Sequence, residues 1–113
     1  MIRHIVLFRF KPGVSWEDDA ALAAEAVARR VGDEVPDLRY WYAGRNISDR
    51  PVAYDFVVVG LLADEDALGR YMVHPFHQDA IARWREISEW VIADVVEQDA
   101  TVVTNDVPVT AAG

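Results

Sequence analysis

The chain has 113 residues, 52 % of them hydrophobic and 27 % charged, and its 19 acidic against 11 basic side chains give a formal net charge of −8. This length suits one domain around one core, and the composition excludes a wholly disordered chain. With no cysteine, disulfides, thiolate nucleophiles and cysteine-ligated zinc are excluded. The acidic balance argues against nucleic acid and against anionic membranes as partners. No run of about 18 apolar residues could span a bilayer. The start, Met1-Ile2-Arg3-His4, lacks the basic and apolar regions of a signal peptide, so a cytoplasmic location is expected.

Ile2 to Phe10 alternates as a strand. Ile2, His4, Val6, Phe8 and Phe10 share one face, and Arg3, Ile5, Leu7 and Arg9 the other. Lys11-Pro12-Gly13 breaks it. Ser15 has the chemistry of a helix N-cap, followed by Glu17, Asp18 and Asp19 at the positive end of the dipole. The Ala-rich segment to about Val31 predicts a helix with Ala20, Ala23, Ala24, Val27 and Val31 as its apolar stripe, closed by Gly32-Asp33. Leu38 to Ala43 is an aromatic strand, and Gly44 to Pro51 a loop of turn formers. A third strand covers Tyr54 to Leu62, and Asp64-Glu65-Asp66 opens a helix running to about Val73.

His74-Pro75 interrupts that helix. Proline pushes the preceding residue out of the α region and itself suits the first helical position. His74 is therefore expected as an N-cap, with a new helix from Pro75 to about Ser88 and an apolar stripe of His77, Ala80, Ile81, Trp84, Ile87 and Val91. A last strand follows from about Trp90 to Glu97. The order is that of a ferredoxin-like β-α-β-β-α-β protomer, an α+β fold with a four-stranded antiparallel sheet and both helices on one face. The other face would carry apolar side chains, which predicts burial against a second copy in a homodimer. Residues 1–98 are read as the domain, and residues 99–113 as a tail that is frayed or rests on the partner subunit.

Among polar groups the histidines carry the most information. His77 shares a stripe with Ile81 and Trp84 and lies in the first turn of its helix. Burial and the positive helix end both disfavour an imidazolium, and a neutral imidazole is what a general base requires. The competing reading is a core histidine satisfied by one hydrogen bond. His4, among Ile2, Val6 and Phe8, is either a pocket wall or a buried structural residue. Tyr71, six residues before His77 across the proline break, can converge with it to polarise a carbonyl, or can simply pack at a helix end. His74-x-x-His77 has a metal-like spacing but no evident third ligand, so neither metal nor cofactor is expected. Glycine-rich phosphate loops and nucleophile elbows are absent.

The opening Ile2-Arg3-His4-Ile5-Val6-Leu7-Phe8-Arg9-Phe10-Lys11, the loop Gly44-Arg45-Asn46-Ile47-Ser48, the pair Tyr54-Asp55 and above all Tyr71-Met72-Val73-His74-Pro75-Phe76-His77 resemble the stress-responsive dimeric α/β-barrel family over about residues 1 to 98. The resemblance implies protomers that pair their sheets into a dimeric barrel. It is similar within that family to a cofactor-free polyketide cyclase. That likeness implies His77 as base, Tyr71 as its assistant and His4 as a pocket wall, and it maps the pocket-lining positions of the first helix to Leu22, Ala23 and Ala26, with Val27 beside them. With Val6, Phe8, Ile81 and Trp84, these residues make up the expected pocket for a small apolar, oxygenated ligand. Leu22 and the alanines replace bulky aromatics, so the cavity should differ in shape and substrate. Three readings follow: a cofactor-independent cyclase or lyase, a non-enzymatic homodimeric stress or structural protein, and a cofactor-free oxygenase.

Overall fold

A computed structural model describes residues 1–105; the rest of the tail expectation lies outside the described residues. Four strands, β1 (Ile2–Phe10), β2 (Leu38–Arg45), β3 (Phe56–Leu62) and β4 (Ser88–Val96), form one antiparallel sheet in the order β2-β3-β1-β4. Three helices, α1 (Asp19–Glu34), α2 (Glu65–Val73) and α3 (Pro75–Ile87), pack on one face. The ferredoxin-like plan holds, with its second helix split in two. A single 3₁₀ turn, Glu97–Asp99, follows β4.

Alternation decides which side of the sheet the helices cover. Ile2, His4, Val6 and Phe8 are buried beneath them, as are Phe56, Val58 and Leu62 on β3. In register on the opposite face stand Ile5 beside Val59 and Ala93, and Leu7 beside Val57 and Val91. Leu7 is 37 % exposed and Val91 49 %. This face of the sheet is apolar and uncovered in the protomer.

The proline break behaves as its chemistry dictates. His74 is at once the C-cap of α2 and the N-cap of α3, and its Nδ1 accepts from the Phe76 amide at 3.1 Å. The cap occupies the Nδ1 lone pair of His74. Among the described residues no group of three or more His, Asp or Glu side chains is placed to hold a metal ion.

The first helix departs from expectation in start, end and phase. Its N-cap is Asp18, not Ser15. The Asp18 carboxylate accepts from the Ser15 amide and Ser15 Oγ from the Glu17 amide, so these residues close a turn ahead of the helix. The helix runs through Gly32 to Glu34, and glycine is required there by the close approach of Trp41: a Cβ would lie 2.5 Å from the Trp41 Cβ. Its buried face is Ala21, Ala24, Glu25, Ala28 and Val31 rather than the stripe built on Ala20, Ala23 and Val27. Periodicity treats glutamate as outward. Here Glu25 turns inward and is held by Arg45 through two bonds of 2.7 Å and by Arg29 at 3.0 Å. The Arg45 hydrogen bonds lead in holding the Glu25 carboxyl below the usual carboxylate range, and Arg29 adds to them. β2 runs two residues beyond Ala43, pairing Gly44 with Val57 and Arg45 with Phe56. At the other end of the chain β4 starts at Ser88, whose hydroxyl donates to the Trp84 carbonyl at 2.7 Å, so Val91 lies on the open sheet face and leaves the α3 stripe.

Candidate active site

The interior divides around Trp84. On one side its ring packs at 4.4 Å from Phe8 and 5.0 Å from Phe56, measured between centroids, and its Nε1 donates to the Ala24 carbonyl at 3.1 Å. On the other side the packing stops. A cavity of about 220 Å³, partly open to solvent, lies between the three helices and the sheet. An apolar void of about 150 Å³ already holds benzene, so a small molecule fits. The cavity opens along β4, where Ile92 is half exposed.

Its inner end is built by three aromatic side chains from three elements. His4 comes from β1, Tyr71 from the last turn of α2 and His77 from the first turn of α3. The Tyr71 ring lies 4.1 Å from that of His77 and 5.2 Å, edge-on, from that of His4. The proline break creates this convergence, since it redirects the chain between Tyr71 and His77.

The hydrogen bonds of the two imidazoles fix their protons. His77 Nδ1 is 3.1 Å from the Met72 carbonyl; a carbonyl only accepts, so Nδ1 carries the hydrogen and Nε2 keeps a free lone pair. Burial is the main cause that lowers the His77 pKa, opposed by the Met72 bond and assisted by His4 and His74. The ring is therefore neutral at pH 7. His4 Nδ1 donates to Asp94 Oδ1 at 2.6 Å, a carboxylate that the β1–β4 register sets directly opposite it. Burial, then the Asp94 charge, push the Tyr71 phenol well above its ordinary value, so it stays a neutral donor. Among the described residues Tyr71 Oη and the two Nε2 atoms make no protein hydrogen bond, yet no buried side-chain nitrogen or oxygen there lacks a partner. These three atoms thus face the cavity, and their partners must come from its contents.

Of the residues expected at a pocket, His4, Val6, Phe8, Tyr71, His77, Ile81 and Trp84 line this cavity. Leu22, Ala23 and Ala26 do not: they are exposed on the outer side of α1. Val27 packs against Val31 and its neighbours rather than on the cavity. The helix phase set by Glu25 is the reason, and Ala28 and Val31 take the places assigned to them. Asp94, Trp41, Met72 and Arg85 were not anticipated. Asp94 could have been found from the antiparallel pairing once the strand order was drawn, and Arg85 from its position eight residues after His77, on the same side of α3.

A family model described as the stress responsive A/B barrel domain (Dabb) matches residues 2–97. The chain belongs to the Dabb family. An uncharacterized protein of Streptomyces coelicolor is 49 % identical to this Dabb protein over 83 % of the chain and 97 % of its own length. Among solved structures it is similar to a dimeric ferredoxin-like protein of unknown function from Thermobifida fusca, at 28 % identity and a TM-score of 0.73, with 83 % and 88 % of the two chains covered. The hydroxynitrile lyase of Passiflora edulis shares the fold, at 14 % identity and a TM-score of 0.73 over 89 % and 96 % of the chains. No helix of the described residues is long and apolar enough to cross a membrane.

Proposed function

We propose that this Dabb protein is a cofactor-independent acid–base enzyme acting next to a carbonyl of a small apolar substrate, in the manner of a polyketide cyclase or a lyase. His77 Nε2 takes a proton from the carbon beside the carbonyl. The carbonyl π electrons shift to oxygen as the C–H pair moves into the new C=C bond, and the Tyr71 hydroxyl donates to the developing enolate. The enolate carbon can then attack a second carbonyl, or the same steps can run in reverse to cleave a C–C bond. Burial favours both partners in the forms this needs, an uncharged base and an un-ionised donor. The observation that carries the reading is the joint presence of Tyr71 Oη and His77 Nε2, both without partners among the described residues, at the inner end of one cavity. That a hydroxynitrile lyase is built on this fold supports it by analogy alone.

A direct test is exchange of the α-protons of 4-phenylbutan-2-one in deuterium oxide, followed by proton NMR. The wild type should exceed the uncatalysed rate, and His77→Gln should lose the excess. No excess, or an excess that survives His77→Gln, would leave the reading of a non-enzymatic homodimer.

We also infer that the protein is a homodimer closed through the open sheet face. Ile5, Leu7, Val57, Val59 and Val91 form there the kind of contiguous apolar surface that monomers rarely expose, and the similar Thermobifida fusca protein is described as dimeric. Leu7→Glu should convert the dimer to a monomer in light scattering, without moving the cavity residues.

A further inference from the structure

The cavity has a second polar feature, distant from the histidines. Arg85 lines it together with Trp90, and the Arg85 guanidinium carbon lies 5.8 Å from the centroid of the Trp90 ring. Six other arginines, Arg3, Arg29, Arg30, Arg45, Arg70 and Arg83, each pair with a carboxylate. Arg85 pairs with none among the described residues, although Glu86 and Glu89 are its sequence neighbours. Of the described arginines left without a carboxylate, it is the one that borders this cavity. Arg85 is exposed at the cavity rim, and its backbone carbonyl accepts from Lys11 Nζ at 2.8 Å.

Position makes this cation informative. Eight residues of α3 separate His77 from Arg85, about 12 Å along the axis. On β4 four residues separate Asp94, which holds His4, from Trp90, about 13 Å. The cavity is thus polarised: a neutral acid–base group with a carboxylate behind it at one end, an unpaired guanidinium at the other. Val6, Ile81, Trp84 and Ile92 supply an apolar wall between the two.

We propose that the ligand is an amphipathic carboxylate, with an apolar body of roughly medium-chain length, its anionic group on Arg85 and its carbonyl-bearing end at Tyr71 and His77. This deepens the acid–base reading of the same cavity and rests on it. Asp94 favours this orientation, because the reversed ligand would bring its carboxylate to the end of the cavity that already carries the Asp94 charge behind His4. A planar guanidinium suits a carboxylate bidentately, and the Trp90 ring limits how far it can swing.

The test uses octanoate and its neutral counterpart octanamide, titrated into the full chain by calorimetry with backbone NMR shifts recorded in parallel. Wild type should bind octanoate at least about tenfold more tightly than octanamide, the ratio expected of one charge-assisted bond. The Trp84 and Ile92 signals should move. Arg85→Gln should bring the ratio close to one with octanamide affinity little changed, and Arg85→Lys should restore part of the preference. Equal affinities in the wild type, a preference that survives Arg85→Gln, shifts confined to residues outside the cavity, or no binding of either probe would each overturn the proposal. His77→Gln should leave the octanoate preference intact, so failure of the proton-transfer reading and failure of the carboxylate site can be told apart.

Discussion

On one side of Trp84, Phe8 and Phe56 fill the space down to ring separations of 4.4 and 5.0 Å, and the indole nitrogen has a backbone partner. On the other, the rings of His4, Tyr71 and His77 are as close as 4.1 Å, yet three of their polar atoms have no protein partner and face about 220 Å³ of space. The two regions use the same class of side chain for opposite ends. The filled one converts aromatic area into stability. The hollow one gives up packing contacts and turns polar atoms without protein partners toward the cavity, an arrangement that suits a guest rather than a filled core.

Trp84→Ala should separate the regions most strongly. It removes the buried ring that bounds both, and should lower unfolding free energy by about 3–5 kcal/mol in urea titrations. Next, His77→Gln should cut the exchange activity by about 10²–10⁴-fold while stability changes by under about 1 kcal/mol. The Met72 carbonyl keeps a donor in that variant, because Gln78 Nε2 also bonds to it. A loss of stability comparable to that of Trp84→Ala would mean that His77 belongs to the packed region. Tyr71→Phe should reduce the activity by about 10²–10³-fold at nearly unchanged stability, since the hydroxyl has no protein partner to lose.

The smallest effect is a pH dependence of stability. Burial lowers the His77 pKa in the folded protein, so below the ordinary histidine value of about 6.5 the unfolded chain takes up a proton that the folded one refuses. Stability should fall as pH drops through 6.5 and level off below the folded pKa, and this component should be missing in His77→Gln. Chemical denaturation from pH 7.5 to 5 measures it.

The fold was legible because its signals are local and agree with one another. Alternation in Ile2–Phe10, the His74-Pro75 break and the order of elements each have one physical reading, and the structure follows them. The site was legible only in part. His77 and Tyr71 stand beside the proline that brings them together, so spacing pointed at both. The first helix misled in phase because Glu25 turns inward to Arg45, 20 residues away, which nothing local reveals; Leu22, Ala23 and Ala26, mapped to the pocket only by the likeness to a polyketide cyclase, lie exposed and do not touch it. Asp94 and Arg85 required the tertiary arrangement, Asp94 through strand register and Arg85 through the course of the cavity.

The central claim is that His77 is neutral, protonated on Nδ1, and offers Nε2 to the cavity. Long-range proton–nitrogen NMR of the histidine rings across a pH titration tests it most directly. The expected result is the Nδ1–H tautomer for His77 at pH 7 and a midpoint below the ordinary histidine value. A ring that is cationic at pH 7, or neutral with its proton on Nε2, would contradict it.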